Sequence, residues 1–255
     1  MPNTIIGIPA RMGSHRLPNK PLRTIAGTPM IVHVWRRATA ADIGEVLVAC
    51  DSDDIVDAIH SEGGKAVLTP SDLPSGTDRV HHAIKYANGV LNGDEFDSVI
   101  NLQGDLPDID SQVIKTFAES MEKHKNAYPM MTLDAPLTDE DEDKPQVVKS
   151  IVKSRNGDGI GEAKTFMRHV NGAFANETDI EIGHHIGIYG WQREALSQFV
   201  AWKPTANEKT EKLEQLRAVD KKMPIGVLRI GLAPLGVDTD DDLAAVRAHM
   251  SPPSN

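Results

Sequence analysis

A single cysteine, Cys50, stands in 255 residues, which excludes a disulfide framework and fits a reducing compartment. No stretch approaches the roughly 18 apolar residues of a membrane span. The first residues, Met1-Pro-Asn-Thr-Ile-Ile-Gly, carry no basic segment ahead of an apolar one, so no signal peptide is expected. Lys and Arg number 27 against 37 Asp and Glu, a net charge of −10, which argues against a general nucleic-acid or acidic-membrane surface. The expectation is a soluble cytoplasmic protein. Among ten histidines there is no H-E-x-x-H or similar spacing, so no zinc site is expected. There are no repeats, and the acidic run Thr138–Lys144 is the one low-complexity stretch. With 40% hydrophobic residues the chain has the material for a full core. Its length fits one large domain, or one and a half at roughly 100–200 residues each.

The most telling absence is local. Residues 1–41 contain no Asp or Glu but six cations: Arg11, Arg16, Lys20, Arg23, Arg36 and Arg37. A charge of +6 there against −10 overall leaves −16 for the rest. An acid-free basic segment in an acidic protein points to a local anion site. Arg36 and Arg37 fit equally well as the outer face of a helix.

What is present reads as an α/β fold. Thr4–Ile8, Glu45–Cys50, Lys65–Leu68 and Ser98–Leu102 are apolar or β-branched runs of strand length. Between them Met30–Ala40, Asp53–Glu62 and Arg79–Asn88 repeat apolar residues at helical spacing, and Ser111–His124 does so after the fourth strand. This alternation predicts parallel βαβ units flanked by helices, with ligands at the carboxyl ends of the strands. The second part differs: Val147–Lys153, Glu162–Met167 and His184–Trp191 predict a smaller antiparallel excursion after a solvated acidic linker. Helices are expected again at Gln192–Val200 and Lys209–Asp220, a strand at Ile225–Ile230, and a closing helix at Asp240–Met250. The expected partition is one domain over 1–255: a nucleotide-binding core over 1–135, the antiparallel segment over 136–200, and a return to the core over 201–250.

The loop after the first strand, Pro9-Ala-Arg-Met-Gly-Ser-His-Arg-Leu-Pro-Asn-Lys20, has neither G-x-G-x-x-G nor G-K-[ST]. It offers instead a small-residue turn, Gly13-Ser14, flanked by Arg11, Arg16 and Lys20. Backbone donors beside three cations suit a triphosphate; the alternative is a basic surface loop. Ser75-Gly-Thr-Asp-Arg79 opens the third helix, where Ser75 is either a simple N-cap or part of an anion or base site. Asp105, in Asn101-Leu-Gln-Gly-Asp105-Leu-Pro107, ends a central strand after a glycine, a good Mg²⁺ position that competes with a turn-capping role before Pro107. Asp238 is the second candidate ligand, with Asp240, Asp241 and Asp242 read as solvated charges at a helix start. The neighbours His184 and His185 on one strand face opposite ways, so one lines a pocket and the other packs or meets solvent. Glu214 or Gln215 reaches a ligand, or Glu214 simply pairs with Arg217 on a helix surface.

Taken together, the first loop, Ser75-Gly-Thr-Asp-Arg79, Gln103-Gly-Asp105, His185-Ile-Gly-Ile-Tyr189, Leu213-Glu-Gln-Leu-Arg217 and Gly236-Val-Asp238-Thr resemble the 3-deoxy-manno-octulosonate (Kdo) cytidylyltransferases, in order and over nearly the whole chain. The resemblance implies a mostly parallel, Rossmann-like nucleotidyltransferase sheet with an antiparallel sugar-side and dimer segment. It implies Mg²⁺-dependent transfer of CMP from CTP to an acidic 2-keto sugar for lipopolysaccharide assembly, by a cytoplasmic homodimer. By the same likeness Ala10, Arg11, Ser75 and Gly76 surround cytosine and ribose, Ser14, Arg16 and Lys20 hold the phosphates, and Gln103 also binds the nucleotide. Lys20, Arg11 and Asp105 act in catalysis, and Asp105 and Asp238 carry the metal. Arg168, matched through Phe166-Met-Arg168, joins His185, Tyr189, Glu214 and Gln215 on the sugar. Three departures stand on the sugar side: Met167, His169-Val-Asn-Gly-Ala-Phe174, and Leu106. They leave open the 8-amino analogue of Kdo or another 2-keto-3-deoxy sugar acid. Two further alternatives are a sugar-1-phosphate nucleotidyltransferase and an inactive nucleotide-binding regulatory domain.

Overall fold

The computed structural model describes residues 3–14, 16–87, 90–91, 96–170, 172, 174 and 177–250. The chain divides into two compact units, 1–118 with 234–255, and 119–233. The division thus falls near residues 118 and 233, where 135 and 200 were expected.

The first unit opens with β1 (Thr4–Ala10), buried throughout. A short hairpin follows, β2 (Thr24–Ile25) and β3 (Thr28–Pro29), leading into α1 (Met30–Ala40). Then come β4 (Gly44–Cys50), α2 (Asp53–His60), β5 (Lys65–Leu68), α3 (Gly76–Tyr86) and β6 (Ser98–Leu102). The strands lie in the order β5-β4-β1-β6, all parallel. Helix starts follow capping chemistry: the Ser52 hydroxyl accepts from Asp54 N, and two aspartates sit at the positive end of α2. The expected third helix begins three residues earlier than Arg79, and its expected end, Asn88, lies outside the described residues. α4 (Ser111–His124) carries the chain across the boundary.

The second unit contains β7 (Met130–Pro136), α5 (Asp139–Glu142), β8 (Lys149–Lys153), β9 (Ile160–Met167), β10 (Ile180–Gln192), α6 (Arg193–Ala201), α7 (Ala206–Glu211), α8 (Leu216–Asp220) and β11 (Ile225–Arg229). Its strands run β10-β7-β11-β9-β8, and β8 pairs back onto β10, closing a five-stranded ring. Only β7 and β11 are parallel there. The mostly parallel sheet expected from the sequence is therefore a mixed one. β7 was missed because its run, Met-Met-Thr-Leu-Asp-Ala-Pro, is buried on both faces and shows no alternation. Inside the ring, the fully buried Asp134 accepts from Arg155 (2.5 Å), Arg229 (2.7 Å) and Ser150 (2.7 Å), so its charge is met by hydrogen-bonded partners. Gly183 is required beside it, because a Cβ there would stand 2.3 Å from Asp134 Oδ2.

Two local readings are corrected. The acidic run is not only a linker, since Asp139–Glu142 forms a helical turn. The single helix expected over Lys209–Asp220 is broken, with Lys212 in the left-handed region at φ 55°. Leu213, Gln215, Leu216 and Arg217 are all buried, which one straight helix cannot achieve on a single face. Arg217 is consequently no surface residue. It is 1% exposed and gives two hydrogen bonds to Glu208, at 2.9 and 2.5 Å. The chain closes in the first unit with α9 (Asp240–Met250), whose Leu243 and Val246 pack with Leu17, Ile25, Met30 and Val237.

Candidate active site

Three loops meet at the carboxyl ends of the first unit's strands. After β1, the amide of Met12 donates to Asp51 Oδ1 (2.9 Å) and the Ser14 hydroxyl accepts from Leu17 N (3.3 Å), so the loop is folded back on itself. Arg11 projects into solvent and Ala10 is buried at the strand end. After β5, the loop is held by the buried Arg79, which donates to Thr69 Oγ1 (2.5 Å) and to the carbonyls of Pro70 and Ser71. The Ser75 hydroxyl is spent as the N-cap of α3, accepting from Asp78 N and donating to its carboxylate (2.6 Å). After β6, Gln103 donates to Asn101 Oδ1, and Asn101 to Thr77 Oγ1, which pins the start of α3 to the end of β6. A Cβ on Gly76 would lie 3.2 Å from both Gln103 and Pro9, so Gly76, Gln103 and the first loop share one surface. Gly104 is needed for the same approach: a Cβ there would come within 2.7 Å of the Pro9 carbonyl.

At the centre of this edge stands Lys20. Its ammonium donates to Asp105 Oδ2 (2.7 Å) and Asp238 Oδ1 (3.0 Å), while Arg16 reaches Asp238 Oδ2 at 3.1 Å. Residues 16, 20, 105 and 238 thus converge. Burial alone would lower the Lys20 pKa, yet the facing carboxylates of Asp105 and Asp238 outweigh it and raise it above the usual lysine value. Burial works against ionisation of Asp238, but Lys20 and Arg16 together hold its pKa below the usual carboxylate value. Lys20 is therefore a fixed cation at neutral pH.

The aspartates that follow Asp238 divide in role. Asp240 pairs with Arg23 on the surface (2.8 Å). Asp242 is not a solvated charge: it accepts from the amides of Asp238 (3.0 Å) and Thr239 (2.8 Å), while Thr239 Oγ1 accepts from Asp242 N. This reciprocal cap fixes the backbone that aims Asp238 at Lys20. Asp51 is absent from the sequence reading, and Asp242 stands there only as a solvated helix-start charge. Asp51 was findable, since it ends a parallel strand as Asp105 does; Asp242 was hidden in a run of acids.

The residues assigned to the sugar lie in the second unit. His185 is buried against Phe166, edge to face with centroids 4.8 Å apart. The Tyr189 hydroxyl donates to Gln215 Oε1 (3.0 Å), and Gln215 Nε2 stands 3.5 Å from His185 Nδ1. Burial depresses the His185 pKa to about 3 and raises that of Tyr189, to which Glu214 adds, so both are neutral in the folded protein. Glu214 itself is half-buried. Arg168 donates Nε to the Glu211 carbonyl (3.1 Å) and Nη1 to that of Pro145 (2.8 Å). His184 is half-buried, its pKa lowered by burial, with Nδ1 at 4.0 Å from Asp141. Of the divergent segment after Arg168, Asn171 and Ala173 lie outside the described residues.

A parallel α/β sheet whose strand ends carry a cation-lined loop and two facing carboxylates defines a nucleotide-handling class. The cytidylyltransferase family pattern matches residues 5–225. The chain is 44% identical over 246 residues to a 3-deoxy-manno-octulosonate cytidylyltransferase of Paramagnetospirillum magneticum, covering 96% of each chain. It is 44% identical to one of Parvibaculum lavamentivorans, over 97% of this chain and 92% of that one. Among solved structures, a CMP:2-keto-3-deoxy-manno-octonic acid synthetase complexed with CTP superposes with a TM-score of 0.83 at 36% identity, covering 97% of this chain and 98% of that one. The chain belongs to the cytidylyltransferase family, among its 3-deoxy-manno-octulosonate members.

Proposed function

We propose that the protein transfers the cytidylyl group of CTP to the anomeric hydroxyl of Kdo, releasing pyrophosphate and giving CMP-Kdo for lipopolysaccharide assembly. The observation that carries this reading is the junction of Lys20 and Arg16 with Asp105 and Asp238 at the strand ends. In the reaction the sugar hydroxyl loses its proton to solvent and its oxygen bonds to the α-phosphorus, the bond from that phosphorus to the β-bridging oxygen breaks, and pyrophosphate leaves. Little covalent work falls to the protein, so positioning and charge neutralisation dominate. Lys20 and Arg16 would meet the negative charge that grows on the phosphates, with the Ser14 turn beside them. Ala10, Arg11, Ser75 and Gly76 would form the base and ribose side, with Gln103 also on the nucleotide. Since the Ser75 hydroxyl is committed to Asp78, Ser75 serves the nucleotide through its main chain.

The donor set suits magnesium. Two carboxylate oxygens, Asp105 Oδ2 and Asp238 Oδ1, meet at one ammonium. Mg²⁺ commonly takes one or two carboxylates and completes its shell with water and substrate phosphate. Asp105 and Asp238 would hold it, and when bound it supplies charge neutralisation and a lowered pKa for the attacking hydroxyl. Arg168 gives hydrogen bonds through Nε and Nη1, and its Nη2 would take the sugar carboxylate, with His185, Tyr189, Glu214 and Gln215 reading its hydroxyls. Among the described residues no helix is long and apolar enough to cross a membrane. A cytoplasmic homodimer completes the proposal.

The test is pyrophosphate release from CTP and Mg²⁺ across a panel: Kdo, its 8-amino analogue and a sugar 1-phosphate. Release with Kdo is expected. A strict requirement for the sugar 1-phosphate, or saturable CTP binding with no release for any sugar, overturns the reading.

A further inference from the structure

β10 does not pair evenly with β7. Its register shifts between Ile186 and Tyr189, a bulge that turns the carbonyls of Ile186 and Ile188, either side of Gly187, toward the same partner. That partner is Thr132, fully buried on β7. Its Oγ1 lies 2.7 Å from the Ile188 carbonyl, 3.2 Å from the Ile186 carbonyl and 3.0 Å from His185 Nε2.

A threonine hydroxyl has one hydrogen and two lone pairs. Two oxygens 2.7 Å apart in a buried site require a hydrogen between them, and a carbonyl has none to give. The Thr132 proton is therefore committed to the main chain of the bulge. Toward His185 the hydroxyl acts as acceptor, so the proton of the neutral imidazole sits on Nε2 and Nδ1 is a bare acceptor. What faces Nδ1 must donate, which sets the Gln215 amide with Nε2 toward His185 and Oε1 toward Tyr189. Tyr189 must then give its own proton to Oε1. One main-chain contact thus orders every proton from Thr132 through His185 and Gln215 to Tyr189.

We propose that Thr132 is a positioning residue for the acceptor sugar: by holding the Nε2 proton of His185 it fixes the polarity of the Thr132–His185–Gln215–Tyr189 relay. The consequence for ligand recognition is definite. Tyr189 has its proton spent and presents only lone pairs, so it accepts from a sugar hydroxyl. Gln215 retains one N–H beyond that given to His185. The depressed pKa of His185 and the raised pKa of Tyr189 agree with a relay that stays neutral. The proposal rests on the reading that these residues face the sugar acid, and Thr132 touches the reaction only through His185.

Two measurements separate this inference from that reading. Nitrogen-15 NMR of His185 needs no substrate. A protonated Nε2 and bare Nδ1, unchanged between about pH 5 and 8, are expected in the wild type and in Thr132→Ser, and loss of that single tautomer in Thr132→Val. An Nδ1-protonated imidazole in the wild type overturns the proposal whatever substrate the protein uses. In steady-state kinetics, Thr132→Val is expected to raise KM for Kdo about tenfold with kcat and the KM for CTP little changed, and Thr132→Ser to restore it. An unchanged KM in Thr132→Val, or no recovery in Thr132→Ser where Thr132→Val fails to fold, also overturns it. An Nε2-protonated His185 in a protein that turns over no Kdo supports the relay and refutes the assigned substrate.

Discussion

The two units solve opposite electrostatic problems. In the first, Lys20, Asp105 and Asp238 are partly buried and meet in ion pairs with Arg16 at the surface, and the pKa values of Lys20 and Asp238 move so as to keep their charges. In the second, His185, Gln215 and Tyr189 are sunk out of water, and burial moves the pKa values of His185 and Tyr189 so as to keep them neutral. A highly charged triphosphate needs the former arrangement, because ions must be matched by ions. A sugar bearing many hydroxyls needs the latter, because discrimination there comes from ordered donors and acceptors, where an unpaired one is costly.

That contrast is broken most forcefully at Lys20. Lys20→Met removes the cation that Asp105 and Asp238 share, leaving Asp238 with Arg16 alone, and turnover measured by pyrophosphate release should fall by about 10³-fold. Wild-type turnover in that variant would place the phosphate chemistry elsewhere. The next largest effect is on stability. Arg217→Met strands the buried Glu208 carboxylate in the second unit and should cost about 3–5 kcal/mol in denaturant unfolding. A cost below about 1 kcal/mol, the range of exposed pairs, would contradict the buried assignment.

The first unit was the more legible in the sequence, and the reason is physical. Lys20 lies in the acid-free segment 1–41, Asp105 follows Gly104 just past β6, and Asp238 follows Gly236-Val237, so composition and motif both mark the site. The parallel strands also announced themselves, with Lys65–Leu68 and Ser98–Leu102 bounded as expected. Legibility fails where structure comes from long-range pairing. β7 carries no alternation because a closed ring buries both its faces. The break at Lys212 follows from burying four nearby side chains at once. Asp242 looked solvated because its acceptor role depends on a cap only three-dimensional structure displays. Thr132 is silent in sequence, being one threonine among apolar neighbours whose role is created by a bulge on another strand.

Smaller effects sharpen the second half of the comparison. Tyr189→Phe removes the hydroxyl but keeps the ring, and KM for Kdo should rise about tenfold while CTP affinity stays constant. An equal loss for both substrates would refute a sugar-specific role. The pH dependence of stability should show His185 as well. Its folded pKa of about 3 lies below the unfolded value of 6.5, so the unfolded chain binds the additional proton between those limits. Stability should fall as pH drops from about 6.5 toward 3, and His185→Gln should flatten part of that slope in urea midpoints taken across the same window. Parallel slopes for the two proteins would remove His185 from the account.

The most direct trial of the central assignment is Asp105→Asn, which removes one carboxylate charge while leaving Lys20 and Arg16 to grip the nucleotide. CTP affinity by titration should change little, whereas pyrophosphate release at saturating CTP, Mg²⁺ and Kdo should slow by about 10²–10³-fold. Release at the wild-type rate would mean that the carboxylate pair at Lys20 is not where cytidylyl transfer takes place.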